Sequence, residues 1–178
     1  MANIPVSIDR LIRNYPLHDK LPEPLDTFMS HITGTPCCVQ VSHALNMAGE
    51  LVPKTYPGER RDASPITTDG KVYHYVLVVD ELETYLTGRY GAGELISTTA
   101  PKKLPHRTPL ESKAYLEGRT GILLFRSTGY GLHTELWDGH RIVQRGFDET
   151  NLFSQYRVLF WDCRGAPQWL DDYVKSLK

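Results

Sequence analysis

The residues best suited to covalent chemistry in this chain are three cysteines and seven histidines. A thiol attacks a carbonyl as the thiolate, so the first question is where the sequence lowers a cysteine pKa. Cys37 lies in the run Thr35-Pro36-Cys37-Cys38. Threonine is a good N-cap and proline is favoured at the first helical position. Gly49 closes the run, and Cys38, Val41, Leu45 and Ala48 form one apolar stripe between them, which predicts a helix over 36–48. Cys37 then occupies the first turn, where unpaired N–H groups favour a thiolate. Cys38 falls on the stripe and reads as packing. A lone cysteine equally fits an inert core position, so a nucleophile here needs a histidine arriving from elsewhere.

Most of the histidines do not answer that need. His43 is six residues further along the same helix and points away. His18, His31 and His106 stand beside loops containing proline or aspartate and read as solvated, while His74 on an expected strand faces either core or surface. His133 differs, because it opens a strand after Gly129-Tyr130-Gly131, an approach that lets another backbone or a substrate come close. Asp138-Gly139 then predicts a two-residue hairpin turn. With Trp137 opposite His140, His133 lies across from Gln144, which can accept from one ring nitrogen while the other faces the thiolate. An exposed strand glutamine is the plainer reading of Gln144, and a one-residue slip would move it to the other face. Asp148 is the next candidate for a third member. The cysteines form neither a disulfide framework nor a structural zinc spacing, and this chemistry requires no metal or cofactor.

The elements that must position these groups follow from pattern. SIDRLIRNY carries Ile8, Leu11 and Ile12 at helical spacing, and a proline-punctuated stretch follows. Residues 52–71 read as a long loop, the kind that flanks a binding site, and Arg60 and Arg61 within it are candidates for substrate carboxylates. VYHYVLVV (72–79) reads as a strand, ELETYLTGRYG (81–91) as a short helix and 92–118 as irregular. GILLFRS (121–127), LHTELW (132–137), HRIVQR (140–145) and YRVLFWD (156–162) read as strands. Helices followed by an antiparallel sheet make an α+β fold, and 178 residues suit one domain spanning 1–178. With 40% hydrophobic and 23% charged residues the chain is globular. A formal charge of −1 argues against nucleic acid as partner, and no apolar run of about 18 residues suggests a membrane span. The N-terminus has no signal-peptide core, so export without a Sec signal is expected.

TPCCVQVSHALNMAG (35–49), followed by GLHTELWDGHRI (131–142), resembles the fourth family of type VI secretion amidase effectors, relatives of the NlpC/P60 branch of papain-like cysteine peptidases. The resemblance extends through YHYVLVVDELETYLTGRYG (73–91) and GRTGILLFRS (118–127), covering about 8–162. It implies a papain-like fold with the nucleophile at a helix start packed on an antiparallel sheet. It places the nucleophile on Cys37, alanine's usual place on Cys38, the base on His133 and the third position, commonly Asp, on Gln144. Gln40 stands where Arg is common, and Leu132 intervenes between Gly131 and His133. The implied activity is a peptidoglycan amidase, a D,L-endopeptidase cutting the D-glutamyl–meso-diaminopimelate bond of wall stem peptides. Such an antibacterial effector would be made in the cytoplasm, act in the periplasm or wall of a target cell, and be held in check by a cognate immunity protein. Other readings of the same residues are a cysteine peptidase or acyltransferase acting on protein or lipid, and a binding protein whose triad has decayed.

Overall fold

The computed structural model describes residues 3–31, 35–57, 66–164 and 175–177. In chain order the elements are β1 (Asn3–Ser7), α1 (Ile8–Arg13), α2 (Leu25–Ser30), α3 (Pro36–Met47), β2 (Ile66–Thr68), β3 (Lys71–Tyr73), α4 (Val79–Tyr90), β4 (Glu94–Thr98), α5 (Pro109–Leu116), β5 (Gly121–Ser127), β6 (Tyr130–Trp137), α6 (Glu149–Phe153) and β7 (Arg157–Arg164). The main sheet runs β1-β7-β5-β6, and β4 also pairs with β7. β5 pairs along one edge of β7 and two elements share the other: β4 runs antiparallel to 157–160 and β1 parallel to 162–164. The mixed α+β class read from the sequence is the class observed. Among the described residues no helix is long and apolar enough to cross a membrane.

β5 is the middle of the sheet, which explains its continuous apolar run, since a strand covered on both faces needs no polar alternation. Ile122 and Leu124 enter a core with Leu11, Leu45 and Leu82 of α1, α3 and α4. Leu123 and Phe125 enter a second core with Phe153, Phe160 and Trp137. The sheet therefore lies between α1, α3 and α4 on one face and the α5–α6 layer on the other.

Local signals account for most element ends. Ser7 caps α1 by accepting from the Arg10 N–H at 3.3 Å. Gly49 follows α3 with φ +96° and Gly91 follows α4 with φ +88°, backbone conformations costly for a side chain bearing Cβ. The stretch expected to be irregular holds β4 and α5 instead. Thr108 and Glu111 form a capping box with Pro109 at the first helical position, a signal present in the sequence and not used.

Two expected strands take other forms. Of 72–79, only Val72 and Tyr73 pair, within β3 of the β2–β3 hairpin around Asp69-Gly70, both at positive φ. The buried remainder bonds to α3 and its cap instead of to a strand: Val76 N–H donates to Ser42 Oγ (3.0 Å), Asn46 Nδ2 donates to His74 O (2.7 Å) and Thr35 N–H to Leu77 O (3.1 Å). The apolar pattern reported burial correctly; polar side chains on a helix replaced the ladder. The 140–145 segment likewise forms no strand, only an isolated bridge between Trp137 and Ile142. Arg60 and Arg61 lie outside the described residues.

Gly121 shows how tightly β5 meets β7. A Cβ added there would stand 2.0 Å from the Trp161 carbonyl oxygen, a backbone atom that cannot rotate away. We expect Gly121→Ala to cost about 1–3 kcal/mol and to lower the melting temperature by several degrees in a thermal denaturation scan. A melting point equal to that of the unmodified chain would contradict this account of the strand contact.

Candidate active site

Cys37 is the second residue of α3 and is 4% exposed. Thr35 holds the N-cap position, yet its hydroxyl does not cap the helix. It lies between the two sulfurs, within hydrogen-bond reach of Cys37 Sγ and Cys38 Sγ, each at 3.4 Å. Hydrogen bonding from the Cys38 thiol, together with the hydrogen bond and charge of His133 and the Thr35 hydroxyl, holds the Cys37 thiol well below its ordinary range despite burial. Burial pushes the Cys38 thiol the other way, well up, and burial also raises that of Cys163. The helix start thus sets the two adjacent thiols apart, Cys37 favouring its thiolate and Cys38 its thiol, while Cys163 on β7 is kept protonated by burial.

His133 pairs with Phe125 across β5–β6, its ring stacked on that phenyl at 6.4 Å and tilted against Phe147 at 4.3 Å. Its Nε2 meets Glu135 Oε1 at 2.7 Å, leaving Nδ1 for Cys37. Residues two apart on a strand share a face, so Glu135 reaches the ring from the same strand. The second carboxylate oxygen, Oε2, accepts from the Tyr15 hydroxyl at 3.0 Å, after α1. Glu135 is fully buried. Burial raises its pKa, while hydrogen bonds from His133 and Tyr15 pull it back. Burial and the Glu135 charge push the Tyr15 hydroxyl well up, so it remains a proton donor. Although burial disfavours the imidazolium, hydrogen bonding to Cys37 and Glu135 raises His133 to about 9. The row Cys37–His133–Glu135–Tyr15 is therefore a thiolate–imidazolium pair backed by a buried carboxylate.

Gln144 is not part of that row. The turn after β6 is built by Asp138, whose Oδ1 accepts the N–H groups of His140 and Arg141 and whose own N–H donates to Arg141 O. Gly139 and His140 become the central pair, and Trp137 meets Ile142 instead of His140. The two-residue shift removes Gln144 from the position opposite His133. Its Oε1 instead accepts from His18 N–H (2.9 Å) and Gln40 Nε2 (3.0 Å), and Gln40 Nε2 also donates to Pro16 O (2.8 Å). Asp148 caps α6 through the Asn151 N–H. His43 meets Tyr75, His31 meets Thr27 O and His106 meets Ala100 O. Glu135 is the residue missed by the hairpin argument; its signal was the His-x-Glu spacing on a strand.

The site opens on a cleft of about 260 Å³ lined by His18, Thr35, Pro36, Cys37, Gln40, Leu132, His133 and Phe147. A larger hollow of about 430 Å³ is bordered by Asp80, Glu83, Arg126 and Arg157, whose charges pair with one another. Among the described residues, no three His, Cys, Asp or Glu side chains gather to hold a metal.

The family model for the type VI secretion system (T6SS) amidase effector protein 4, Tae4, matches residues 34–161. Among solved structures, the type VI effector Tae4 from Enterobacter cloacae aligns with TM-score 0.62 at 16% identity, covering 92% of this chain and 100% of that one. The Tae4–Tai4 effector–immunity complex from Salmonella Typhimurium gives TM-score 0.62 at 14% identity, with 90% and 100% covered. Tae4 from Salmonella typhimurium bound to the immunity protein Tai4 from Enterobacter cloacae gives 0.60 at 14% identity, with 89% and 99% covered. At these identities the structural likeness is one of fold. A search of curated proteins found no match.

Two outcomes follow from the electrostatics. Limiting iodoacetamide near neutral pH should alkylate Cys37 before Cys38 and Cys163, as read by peptide mass spectrometry; earlier labelling of Cys38 would refute the assignment. The imidazolium exists below a raised pKa and is lost as pH rises through about 9, so amidase activity should fall there. Glu135→Gln keeps the shape and removes the charge, and should move that alkaline limb down by about one pH unit. Gln144→Ala should leave the limb in place and lower stability by about 1–3 kcal/mol through stranded donors. pH–rate profiles and melting curves of the two variants distinguish the roles.

Proposed function

This chain belongs to the type VI secretion amidase effector 4 family, and on that premise we propose that it is a papain-like cysteine amidase of peptidoglycan, cutting the D-glutamyl–meso-diaminopimelate bond of stem peptides in the periplasm of a target cell. The observation that carries this reading is the buried row Cys37–His133–Glu135 opening on the cleft. The Cys37 thiolate attacks the amide carbonyl carbon, forming a C–S bond and an oxyanion. Main-chain N–H groups in the first turn of α3 stabilise that charge. As the C–N bond breaks, His133 passes its Nδ1 proton to the leaving amine, and a thioester remains. His133 then takes a proton from water, the hydroxide displaces the thiolate, and the D-glutamyl carboxylate departs. Glu135 holds the ring and offsets the imidazolium charge throughout. The solved relatives named above in complexes are bound to immunity proteins, and a cognate inhibitor of this chain is part of the same proposal.

Digestion of purified Gram-negative sacculi, with fragments identified by mass spectrometry, tests the reading. New fragments should end in D-glutamate and begin with diaminopimelate bearing a free amine, and Cys37→Ala and His133→Ala should release none. Cleavage at another bond would overturn the specificity. Undiminished cleavage by Cys37→Ala would overturn the mechanism.

A further inference from the structure

The cleft beside Cys37 is poor in unspent donors. The Thr35 hydroxyl is engaged with both cysteines. Both N–H bonds of the Gln40 amide go to Pro16 O and Gln144 Oε1. Leu132, Pro36 and Phe147 are apolar. His18 is the exception. His18 is exposed, its imidazole lies tilted against Phe147 at 6.2 Å, and among the described residues neither ring nitrogen meets a hydrogen-bond partner. Its backbone is held nonetheless. The His18 N–H donates to the buried Gln144 carboxamide, two residues after Gln40 grips Pro16 O and three after Tyr15 reaches Glu135. A loop residue anchored this way presents its ring on the cleft rim, with no partner among the described residues using it.

A carboxylate entering an apolar cleft without a donor loses its hydration uncompensated. We propose that His18 is the substrate-carboxylate residue of this cleft, receiving the free α-carboxylate that lies beside the scissile γ-amide of a D-glutamyl substrate. This rests on the stem-peptide reading and adds a specificity determinant to it. The imidazole N–H donates to the carboxylate. Phe147, in contact with both His18 and His133, spans the distance between the recognition group and the reacting one.

The test compares two synthetic stem peptides, one with the D-glutamyl α-carboxylate free and one with it amidated, in the intact enzyme. The expected kcat/KM ratio of acid over amide is about tenfold, in line with a charge-assisted hydrogen bond. His18→Ala should bring the ratio towards one by raising KM for the acid peptide, and His18→Arg, which restores a cationic donor, should recover it. The anchor uses the main-chain N–H, so neither variant removes it. Equal loss on both peptides in His18→Ala would overturn the proposal while leaving the amidase reading intact. Cleavage of neither peptide by the unmodified enzyme would overturn the stem-peptide reading and this inference with it.

Discussion

A carboxylate at zero exposure is tolerated only where both its oxygens are met, and Glu135 satisfies that condition through two residues far apart in the chain. One oxygen faces His133 on its own strand, and the other faces Tyr15, 120 residues earlier. Burial pushes the Glu135 carboxyl towards its neutral form; the two hydrogen bonds oppose that push. Its charge in turn helps lift His133, and His133 helps lower Cys37. Each group owes its protonation state to the next, so the site behaves as one titrating unit.

The N-terminal segment is accordingly part of the site and not a wrapping around it. α1 enters the same core as α3, which brings Tyr15 towards β6. Between α1 and α2 the chain forms no helix or strand, and the Gln40–Gln144 amide pair holds it through Pro16 and His18. Gln144 thus supports the wall of the cleft, a structural part in place of the orienting part expected from the hairpin.

That Cys37 and His133 come together was legible because their signals are local: a cap-proline-cysteine helix start and a histidine opening a strand after glycines. The pairing of Gln144 with His133 was misjudged for an equally local reason. The dipeptide Asp-Gly occurs in two turns here with different outcomes. Asp69-Gly70 forms the two-residue turn with both residues at positive φ, whereas the Asp138 carboxylate bonds forward to two N–H groups and shifts the turn by a residue. A side-chain bond decided the register, and composition does not display it. The 72–79 run was legible as buried but not as strandless, because its partners are Ser42 and Asn46 on a distant helix. The burial of Glu135 depends on Tyr15 and could not be read from either residue alone.

The central claim is that Cys37 and His133 form a charged pair backed by Glu135. Nitrogen NMR of the imidazole, titrated in the free enzyme, reports that charge directly. The account predicts that His133 remains protonated through neutral pH and titrates near 9, with its Nε2 proton hydrogen-bonded, and that Cys37→Ala lowers the titration point. A His133 that is neutral at pH 7.5 and titrates near its ordinary value would contradict it.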